Sequence, residues 1–403
     1  MDNITHSLIG VVLGRTLAKG DQKAKNALIW TAVLGSNLPD FDFFFQSFHE
    51  KGNLSYLLHH RGYTHTFLLA IPIGIVAAVL GSPFAGAKRP KETWFFWVGA
   101  LAVVLHILMD WCNNYGVHPF FPLSNQWFYG DTLFILEPFL WFCLLPFVFV
   151  TARSSLTKGF ILGLGAVMLG VVWLRLFNSG WIAFLLTLWG GLFIWLQRKS
   201  VSAKYAIAGI LGVFFVFRVP SYFTHEKLSQ AVKSLSPSSE LIQMAASPAP
   251  GNPLCWQFSS LSVENNQDYV ARAGTFSVIP YLISPKNCAN VPSFQMKSFL
   301  TQVSETTGSQ SSRIYWKGEF RRPLREFLYL RETSCRFRAF LKFSRIPFWW
   351  QSDGKWFGSD LRYERENVRA FSMIDLDPSQ PCSQDLPPWV PPTDQIVQLL
   401  RGI

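Results

Sequence analysis

The chain has 403 residues, of which 49% are hydrophobic and only 15% are charged. Soluble domains usually carry about 25% charged residues, so this composition excludes an ordinary soluble protein and indicates a membrane protein. The formal net charge of +11 would also suit a nucleic-acid-binding protein. In the first half of the chain, however, lysine and arginine fall in short gaps between apolar runs, which is typical of loops that face the cytoplasm and anionic lipid. We therefore expect membrane lipid, and no nucleic acid, as a partner.

The first half of the chain is a series of apolar runs separated by short loops. Two early segments, near 4–18 and 27–45, could be membrane spans or short helices buried in a bundle. With flanking residues, most of the later runs reach the roughly 20 residues that a spanning helix needs. Residues 1–220 are therefore predicted to form a polytopic α-helical membrane bundle of about 6–8 membrane helices. The later runs, free of acidic and basic residues, lie near 66–87, 93–105, 138–152, 159–174, 180–197 and 205–217.

The basic residues predict an orientation for this bundle. The loop after the 66–87 run contains Lys88, Arg89 and Lys91, whereas the loop at 112–130 contains no lysine or arginine. Under the positive-inside rule the basic loops are cytoplasmic. The N-terminus, residues 38–65 and everything after residue 220 are then expected on the opposite side. No cleavable signal peptide is expected, because MDNITHSLIG has no basic segment ahead of an apolar core.

Residues 221–403 are predicted to form an α+β domain outside the membrane. A helix is expected over 222–246, followed by a turn-rich linker at 247–253. Short alternating runs at 276–283 and 337–346 predict strands.

Six cysteines divide between the two parts. Cys112 and Cys143 lie among the apolar runs and are expected to pack as small apolar residues. The four in the second half are an even number, which fits two disulfides in an oxidising compartment, with three pairings open; four free thiols are the alternative. These four are Cys255, Cys288, Cys335 and Cys382.

Histidine and aspartate recur at the ends of the apolar runs. HILMD places His106 and Asp110 four residues apart on one helix face, where both side chains can reach one metal ion. In the predicted topology the remaining members also fall on the outer side of the membrane. They are His6 in ITHSLIG, Asp40 and Asp42 in LPDFD, His60, Arg61 and His65 in HRGYTH, and Asp131 and Glu137 in GDTLFILEP.

This set has a chemical interpretation and a simpler one. An ionisable residue within a span costs roughly 2.5–3.5 kcal/mol on insertion scales, and retained ones usually pair or line a site. Imidazole and carboxylate together suit zinc, manganese or iron better than magnesium or calcium, and the set would suffice for one or two ions. Taken singly, each motif also fits a helix cap, a turn or a packing residue.

The motifs ITHSLIG, LPDFD, HRGYTH, HILMDWCNNYG and GDTLFILEPFLW occur in this order and resemble the YdjM-like family of bacterial inner-membrane proteins. That family is described as membrane-bound metal-dependent hydrolases, distantly similar to zinc-dependent phospholipase C and P1-type nucleases. The resemblance covers about residues 1–145, and ASPAPGNPLCW resembles the longer members. Where the family is expected to read Asp-Pro, this chain has Glu137-Pro138, which puts a ligand role for Glu137 in doubt. The metal ligands that the resemblance implies are His6, Asp40, His60, His65, His106 and Asp110.

The sequence thus leads to one main hypothesis and two alternatives. The main hypothesis is a hydrolase of the bacterial inner membrane that uses one or two zinc ions, or manganese or iron, at the outer leaflet on a phosphoester such as a lipid headgroup. Its C-terminal domain would be periplasmic. Asp42, Asp131 or Glu137 would accept a proton from the activated water, and Arg61 would steady the developing negative charge. The alternatives are a proton- or metal-coupled transporter and a membrane regulatory or binding protein with a structural metal site. Neither the substrate nor the oligomeric state is predicted.

Overall fold

A helical unit and a sheet-containing unit follow one another along the chain. The computed structural model describes residues 1–42, 53–84, 93–174, 180–290, 312–363, 371–376, 382 and 386–401. The first part, called the helical unit, ends with a long helix that runs through the boundary predicted at residue 220. Its helices are α1 Asn3–Leu17, α2 Gln22–Gly35, α3 Asn53–His59, α4 Phe67–Phe84, α5 Trp94–Trp111, α6 Pro138–Thr151, α7 Ser155–Trp173, α8 Gly180–Lys199 and α9 Ala203–Leu235.

Four helices in the described ranges are long and apolar enough to cross a membrane, namely α5, α7, α8 and α9. A fifth span results if Asn53–His65 and Phe67–Pro83, which meet at 80°, form one bent span. The α1 and α2 helices have 15 and 14 residues. At 1.5 Å per residue each is about 20 Å long, less than the roughly 30 Å hydrocarbon core of a bilayer. The candidate spans identified by length and composition are thus fewer than the 6–8 membrane helices predicted. The basic loop with Lys88, Arg89 and Lys91, which was used to predict the orientation, lies outside the described residues.

The outward faces of α7 and α8 are apolar. Phe160 and Leu162 on α7 and Phe184 and Leu188 on α8 are each more than half exposed. Water-facing helices normally carry polar side chains on that face. These surfaces therefore suit contact with lipid.

Glycines allow α4 and α5 to approach each other closely. A Cβ on Gly74 would lie 2.2 Å from the backbone nitrogen of Ala100, and one on Gly99 would lie 2.3 Å from the carbonyl oxygen of Gly74. A Cβ on Gly35 in α2 would lie 2.8 Å from the carbonyl oxygen of Gly99. Small residues at such contacts are typical of helix packing in membranes. This packing holds the ends of α2, α4 and α5 together, and these ends carry most of the predicted ligands.

The second part, called the C-terminal unit, contains two antiparallel sheets. The first has the order β1-β2-β3-β4 and the second the order β5-β6-β7. Phe327, Phe337 and Trp349 are fully buried between the sheets and the helices. The strands are β1 Ser239–Ala249, β2 Asn252–Glu264, β3 Asp268–Ser277, β4 Ile314–Pro323, β5 Pro347–Ser352, β6 Lys355–Asp360 and β7 Ile374–Asp375, and the helices are α10 Leu324–Thr333, α11 Cys335–Leu341 and α12 Asp394–Arg401.

Several local predictions for this unit are wrong. The helix predicted through residue 246 ends at Leu235, because the residue before Pro237 is disfavoured in the helical conformation and Ser236 is extended. The strand β1 begins soon after. The strand predicted at 337–346 is replaced over its first half by α11, whose buried aromatic side chains imitate an alternating pattern.

Two further segments also differ from the prediction. Only Phe276 and Ser277 of the run at 276–283 belong to a strand, the end of β3. The segment at 247–253 is the end of β1, the start of β2 and the tight turn between them, not a linker. Gly251 in this turn has φ +65°, a conformation that glycine adopts readily.

The cysteine predictions are confirmed. Cys255 pairs with Cys288, and Cys335 pairs with Cys382. Cys112 and Cys143 are free and buried.

The C-terminal unit packs on the loop between α5 and α6. The indole nitrogen of Trp127 donates to the carbonyl oxygen of Lys342 at 2.7 Å, and Arg362 donates to the carbonyl oxygen of Asn114 at 2.6 Å. Trp389 donates to the carbonyl oxygen of Leu58 at 2.9 Å. The C-terminal unit is thereby fixed over the end of the helical unit that follows Asp110.

Candidate metal centre

Four metal-binding side chains from three segments meet inside the helical unit. Asp40 lies in the 3₁₀ turn Leu38–Phe41, His65 lies in the 3₁₀ turn Tyr63–His65, and His106 and Asp110 lie one turn apart on α5. One ligand atom from each lies within 4.8 Å of the others. We call these four residues the ligand cluster. The i, i+4 pairing on α5 predicted two of its members directly.

The distances within the ligand cluster match those around a single ion. Nε2 of His65 and Nε2 of His106 are 3.0 Å apart, and each lies 3.6 Å from Oδ1 of Asp40. Oδ2 of Asp110 lies 3.1 Å from Nε2 of His65 and 3.4 Å from Nε2 of His106. Bonds of about 2.0–2.1 Å from zinc to nitrogen or oxygen give a tetrahedron with edges of about 3.3–3.4 Å. Five of the six separations in the cluster are therefore close to the edges of a tetrahedral site, and the sixth, between Asp40 and Asp110, is within 4.8 Å.

A backbone carbonyl sets the tautomer of His106. Nδ1 of His106 lies 2.8 Å from the carbonyl oxygen of Ser36, the residue that caps α2. A carbonyl oxygen only accepts, so Nδ1 is the protonated nitrogen. In the neutral ring, Nε2 then carries the lone pair that faces the cluster, which is the usual arrangement for a histidine that binds metal.

Hydrogen bonds from Thr64 to Asp42 and from His65 to Thr64 set the tautomer of His65, which is the same as that of His106. The hydroxyl of Thr64 donates to Oδ2 of Asp42 at 3.1 Å. Having donated its one proton, it can only accept from Nδ1 of His65, which lies 3.0 Å away. The proton of neutral His65 is therefore on Nδ1, and Nε2 presents its lone pair to the cluster.

The donor set suits a positive charge at its centre. Two imidazole lone pairs face each other at 3.0 Å, and carboxylate oxygens of Asp40 and Asp110 lie on either side. All four side chains are buried or nearly so, which makes their mutual repulsion costly. A divalent cation would bind all four atoms at once, so these residues fit a metal ion.

His6 and Arg61 contact the other oxygen of Asp110. Nε2 of His6 lies 3.2 Å and Nη2 of Arg61 lies 3.0 Å from Oδ1 of Asp110, and the amine of Met1 also contacts this oxygen. The ring of His6 stacks on that of His106, with centroids 3.9 Å apart. The structure thus brings His6 and Arg61 to the site, but on Oδ1 of Asp110 and not on Oδ2, the oxygen that faces His65 and His106.

His60 and Asp42 form a hydrogen-bonded pair beside the cluster. Nδ1 of His60 lies 3.0 Å from Oδ1 of Asp42, and the backbone N–H of Arg61 donates to Oδ2 of Asp42 at 3.0 Å. His60 is not among the four grouped residues. The side chains of His60 and Asp40 are 12% and 11% exposed, whereas those of the other three cluster members are fully buried. Solvent therefore approaches the site from the side of His60 and Asp40.

Asp131 and Glu137 lie at the junction of the two units, apart from the cluster. Asp131 pairs with Arg345 at 2.9 Å and with His225 at 3.2 Å. Burial acts to raise the pKa of Asp131, but the charges of Arg345 and His225 outweigh it and lower the pKa. Glu137 accepts from the backbone N–H of Phe139 at 3.2 Å and of Gly251 at 3.3 Å, and burial raises its pKa to about 8.

Sequence reasoning missed three residues that support the site. Ser36 contributes only its carbonyl oxygen, for which a sequence carries no signal. Thr64 lies within HRGYTH but was not assigned a role. Asn113, within HILMDWCNNYG, accepts from Nη1 of Arg61 at 2.9 Å, and its position three residues after Asp110 was the available signal.

The helical unit, which contains the ligand cluster, is similar to known proteins. Residues 1–182 match the family described as YdjM inner membrane protein. A protein of Bacillus subtilis (strain 168), described as "Uncharacterized protein YfhP", is 27% identical over 145 residues, which are 35% of this chain and 43% of that protein. The match thus spans less than half the length of this relative. No solved structure matches the chain. The apolar helices and the family match support a membrane protein, and the resemblance predicted from the motifs is confirmed over residues 1–182, which match the YdjM inner membrane protein family.

Proposed function

We propose that the protein is a membrane-bound metal-dependent hydrolase that acts on a phosphoester, such as a lipid headgroup, at the outer leaflet of the bacterial inner membrane. The observation that carries the proposal is the ligand cluster, in which two imidazole lone pairs and two carboxylates converge at 3.0–3.6 Å. This donor set favours zinc, with manganese or iron as the alternatives. One ion is proposed, because a second ion on Oδ1 of Asp110 would lie against the guanidinium of Arg61.

The chemistry that zinc supplies when bound at such a site is Lewis-acid polarisation of the substrate and activation of water. In this proposal His60 would accept a proton from the attacking water. Asp42 accepts from its Nδ1, which orients the ring and leaves Nε2 as the basic nitrogen on the more exposed side of the site. Arg61 is fixed by Asp110 and Asn113 and would bind the negative charge of the substrate.

A multi-pass topology with the C-terminal unit in the periplasm is part of this proposal. The disulfides Cys255–Cys288 and Cys335–Cys382 support it, because disulfides persist in oxidising compartments. Single cysteines introduced at exposed Asp353, in the turn between β5 and β6, and at exposed Ser155, at the start of α7, test it in whole cells. A membrane-impermeant maleimide is expected to label a cysteine at residue 353 and not one at residue 155. Labelling at residue 155 alone would show that the orientation is the opposite of the one proposed.

A structural metal site is the second candidate. Structural zinc sites are closed by four protein ligands, whereas catalytic sites keep a position for water. The cluster offers four donors, which favours the structural alternative unless Asp40, its most exposed member, gives way to water or substrate.

Metal analysis of the detergent-purified protein tests both candidates. About one zinc, manganese or iron ion per chain is expected in the wild type and none in a His106→Ala/Asp110→Ala variant. His59→Gln is the matched control, since Nδ1 of His59 bonds within its own helix to the carbonyl oxygen of Ser55 at 3.0 Å. Absence of stoichiometric metal from the wild type would overturn both candidates.

Turnover separates the two candidates. The metal-loaded protein would be incubated with mixed micelles of phospholipids that differ in headgroup, and release of the headgroup would be measured. Hydrolysis that is lost in His60→Gln with metal content unchanged supports the enzyme. Stoichiometric metal without hydrolysis of any phosphoester, together with unfolding on chelation, would favour the structural site.

A further inference from the structure

Four hydrogen-bond donors next to the ligand cluster have no hydrogen-bond partner in the part of the chain that the structure describes. They are Nε of Arg61, Nδ2 of Asn113 and the hydroxyls of Tyr115 and Tyr363. Arg61, Asn113 and Tyr115 are at least nine-tenths buried. A buried donor without a partner costs about 1–3 kcal/mol, and native proteins contain few of them. We call these four residues the donor cluster.

The members of the donor cluster are neighbours in space. The guanidinium of Arg61 lies over the ring of Tyr115, 4.8 Å from its centroid, and donates to Oδ1 of Asn113 at 2.9 Å. The rings of Tyr115 and Tyr363 are 6.2 Å apart between centroids. The charge of Arg61 acts on both phenols. Arg61 also joins this cluster to the metal centre, because its Nη2 lies 3.0 Å from Asp110.

One member of the donor cluster comes from the C-terminal unit. Tyr363 ends the 3₁₀ turn Leu361–Tyr363 that follows β6. The preceding Arg362 pairs with Asp360 at 2.9 Å and donates to the carbonyl oxygen of Asn114 at 2.6 Å. This buried pair therefore fixes Tyr363 against the loop that carries Asn113 and Tyr115.

The chemistry of the cluster defines its ligand. Arginine and the asparagine amide nitrogen only donate. Burial raises the pKa of Tyr115 and of Tyr363, so both phenols keep their protons at neutral pH. A ligand that satisfies four donors, one of them a cation, carries several acceptor oxygens and a negative charge. Phosphate has these properties, with three or four oxygens that accept charge-assisted hydrogen bonds.

We infer that Arg61, Asn113, Tyr115 and Tyr363 bind the phosphate group of the substrate beside the metal centre, and that the C-terminal unit completes this binding site through Tyr363. The inference rests on the proposed function, since it names the substrate group that the metal centre would act on. It gives the C-terminal unit a direct role in substrate binding.

Calorimetric titration of the full-length, zinc-loaded protein in detergent with inorganic phosphate tests the inference. Tyr115→Phe and Tyr363→Phe each remove one hydroxyl and keep the ring. Each is expected to weaken phosphate binding about tenfold, the size expected for one hydrogen bond to a charged group. Zinc content should not change, and thermal stability should not fall, because each lost hydroxyl has no partner in the described chain. Tyr281→Phe, at a position 87% exposed, is the control.

The outcomes separate this inference from the proposed function. Unchanged phosphate affinity in both variants, or no phosphate binding by the wild type, would overturn the inference even if zinc is stoichiometric. Tyrosine-dependent phosphate binding by a protein that takes up no zinc would support the phosphate site and overturn the hydrolase. A parallel titration with dihexanoyl phosphatidic acid distinguishes the source of the phosphate. Tighter, tyrosine-dependent binding of the lipid indicates a headgroup, and equal affinity indicates free phosphate.

Discussion

Two groups of buried charged residues in this molecule look alike in sequence but differ in their charge balance. At the junction of the two units, Asp131 pairs with Arg345 and Asp360 pairs with Arg362. Each of these two aspartates has its own guanidinium. In the ligand cluster, the guanidinium of Arg61 pairs with Oδ1 of Asp110, while Oδ2 of Asp110 and Oδ1 of Asp40 face the Nε2 atoms of His65 and His106.

This difference indicates which group needs a metal ion. A buried carboxylate with a guanidinium partner is neutralised by the protein itself. The ligand cluster combines two carboxylates with nitrogens whose protons are directed away from the centre by Ser36 and Thr64. Under the proposed function, Asp131 stabilises the junction and Asp110 is a metal ligand.

The largest expected effect is the loss of metal from the ligand cluster. Asp110→Asn keeps the size of the side chain but removes its charge, and we expect zinc affinity to fall at least a thousandfold, measured by competition with a chromophoric chelator. Under the same conditions Asp131→Asn should bind zinc like the wild type. Equal zinc affinity in all three proteins would contradict the distinction between the two groups.

Substitution of Asp131 at the junction should lower the stability of the protein and leave its zinc affinity unchanged. Asp131→Asn leaves the guanidinium of Arg345 buried without its charge partner, which typically costs about 3–5 kcal/mol. We expect a lower thermal midpoint in detergent and faster proteolysis between the two units, with zinc still bound. Asp268→Asn, on an ion pair that is 38% exposed on both sides, is the control and should lie within about 1 kcal/mol of the wild type. A wild-type midpoint for Asp131→Asn would show that this pair does not stabilise the junction.

Glu137 should make stability depend on pH. Its pKa rises from 4.5 in the unfolded chain to about 8 in the fold, because burial disfavours the charged form. The folded state then binds the proton more tightly than the unfolded chain does. The contribution of Glu137 to the free energy of unfolding is therefore complete below pH 4.5 and is lost as the pH rises to 8. Since one pKa unit corresponds to about 1.4 kcal/mol, the loss is on the order of 5 kcal/mol. Thermal melts across this range should show a smaller pH dependence for Glu137→Gln; identical slopes in both proteins would contradict the buried, protonated carboxyl.

The sequence predicted all four members of the ligand cluster because they obey local rules. His106 and Asp110 are one helical turn apart, and Asp40 and His65 occupy short motifs at helix ends. His60 followed the same rules, yet it bonds to Asp42 outside the cluster. Periodicity and topology place a side chain at one end of a bundle, but its direction depends on φ and on tertiary contacts. Arg61, next to His60, has φ +59°, a conformation that a sequence does not reveal.

The predictions were less successful in the C-terminal unit. The contacts of Trp127 with Lys342 and of Arg362 with Asn114 join residues that are distant in sequence and lie on different units. Asp131 and Glu137 resembled site residues because they open a helix after an external loop. Their partners, Arg345 and Gly251, lie more than 100 residues further along the chain. Such long-range pairing cannot be read from local pattern, whereas the disulfides were predicted as a set because cysteine number and compartment constrain them.

The smallest effect concerns the residue that orients one ligand. Thr64→Val keeps the shape of the side chain but removes the hydroxyl between Asp42 and Nδ1 of His65. Without it, the His65 ring loses the acceptor that keeps its proton away from the cluster. Losing such an orienting partner typically weakens metal binding 10–100-fold. Thr16→Val is the matched control, because the hydroxyl of Thr16 donates at 2.7 Å to Val12 within α1. Chelator competition should show weaker zinc binding by Thr64→Val than by the wild type or Thr16→Val. Equal affinities would mean that other contacts set the orientation of His65, and that Asp42 orients His60 alone.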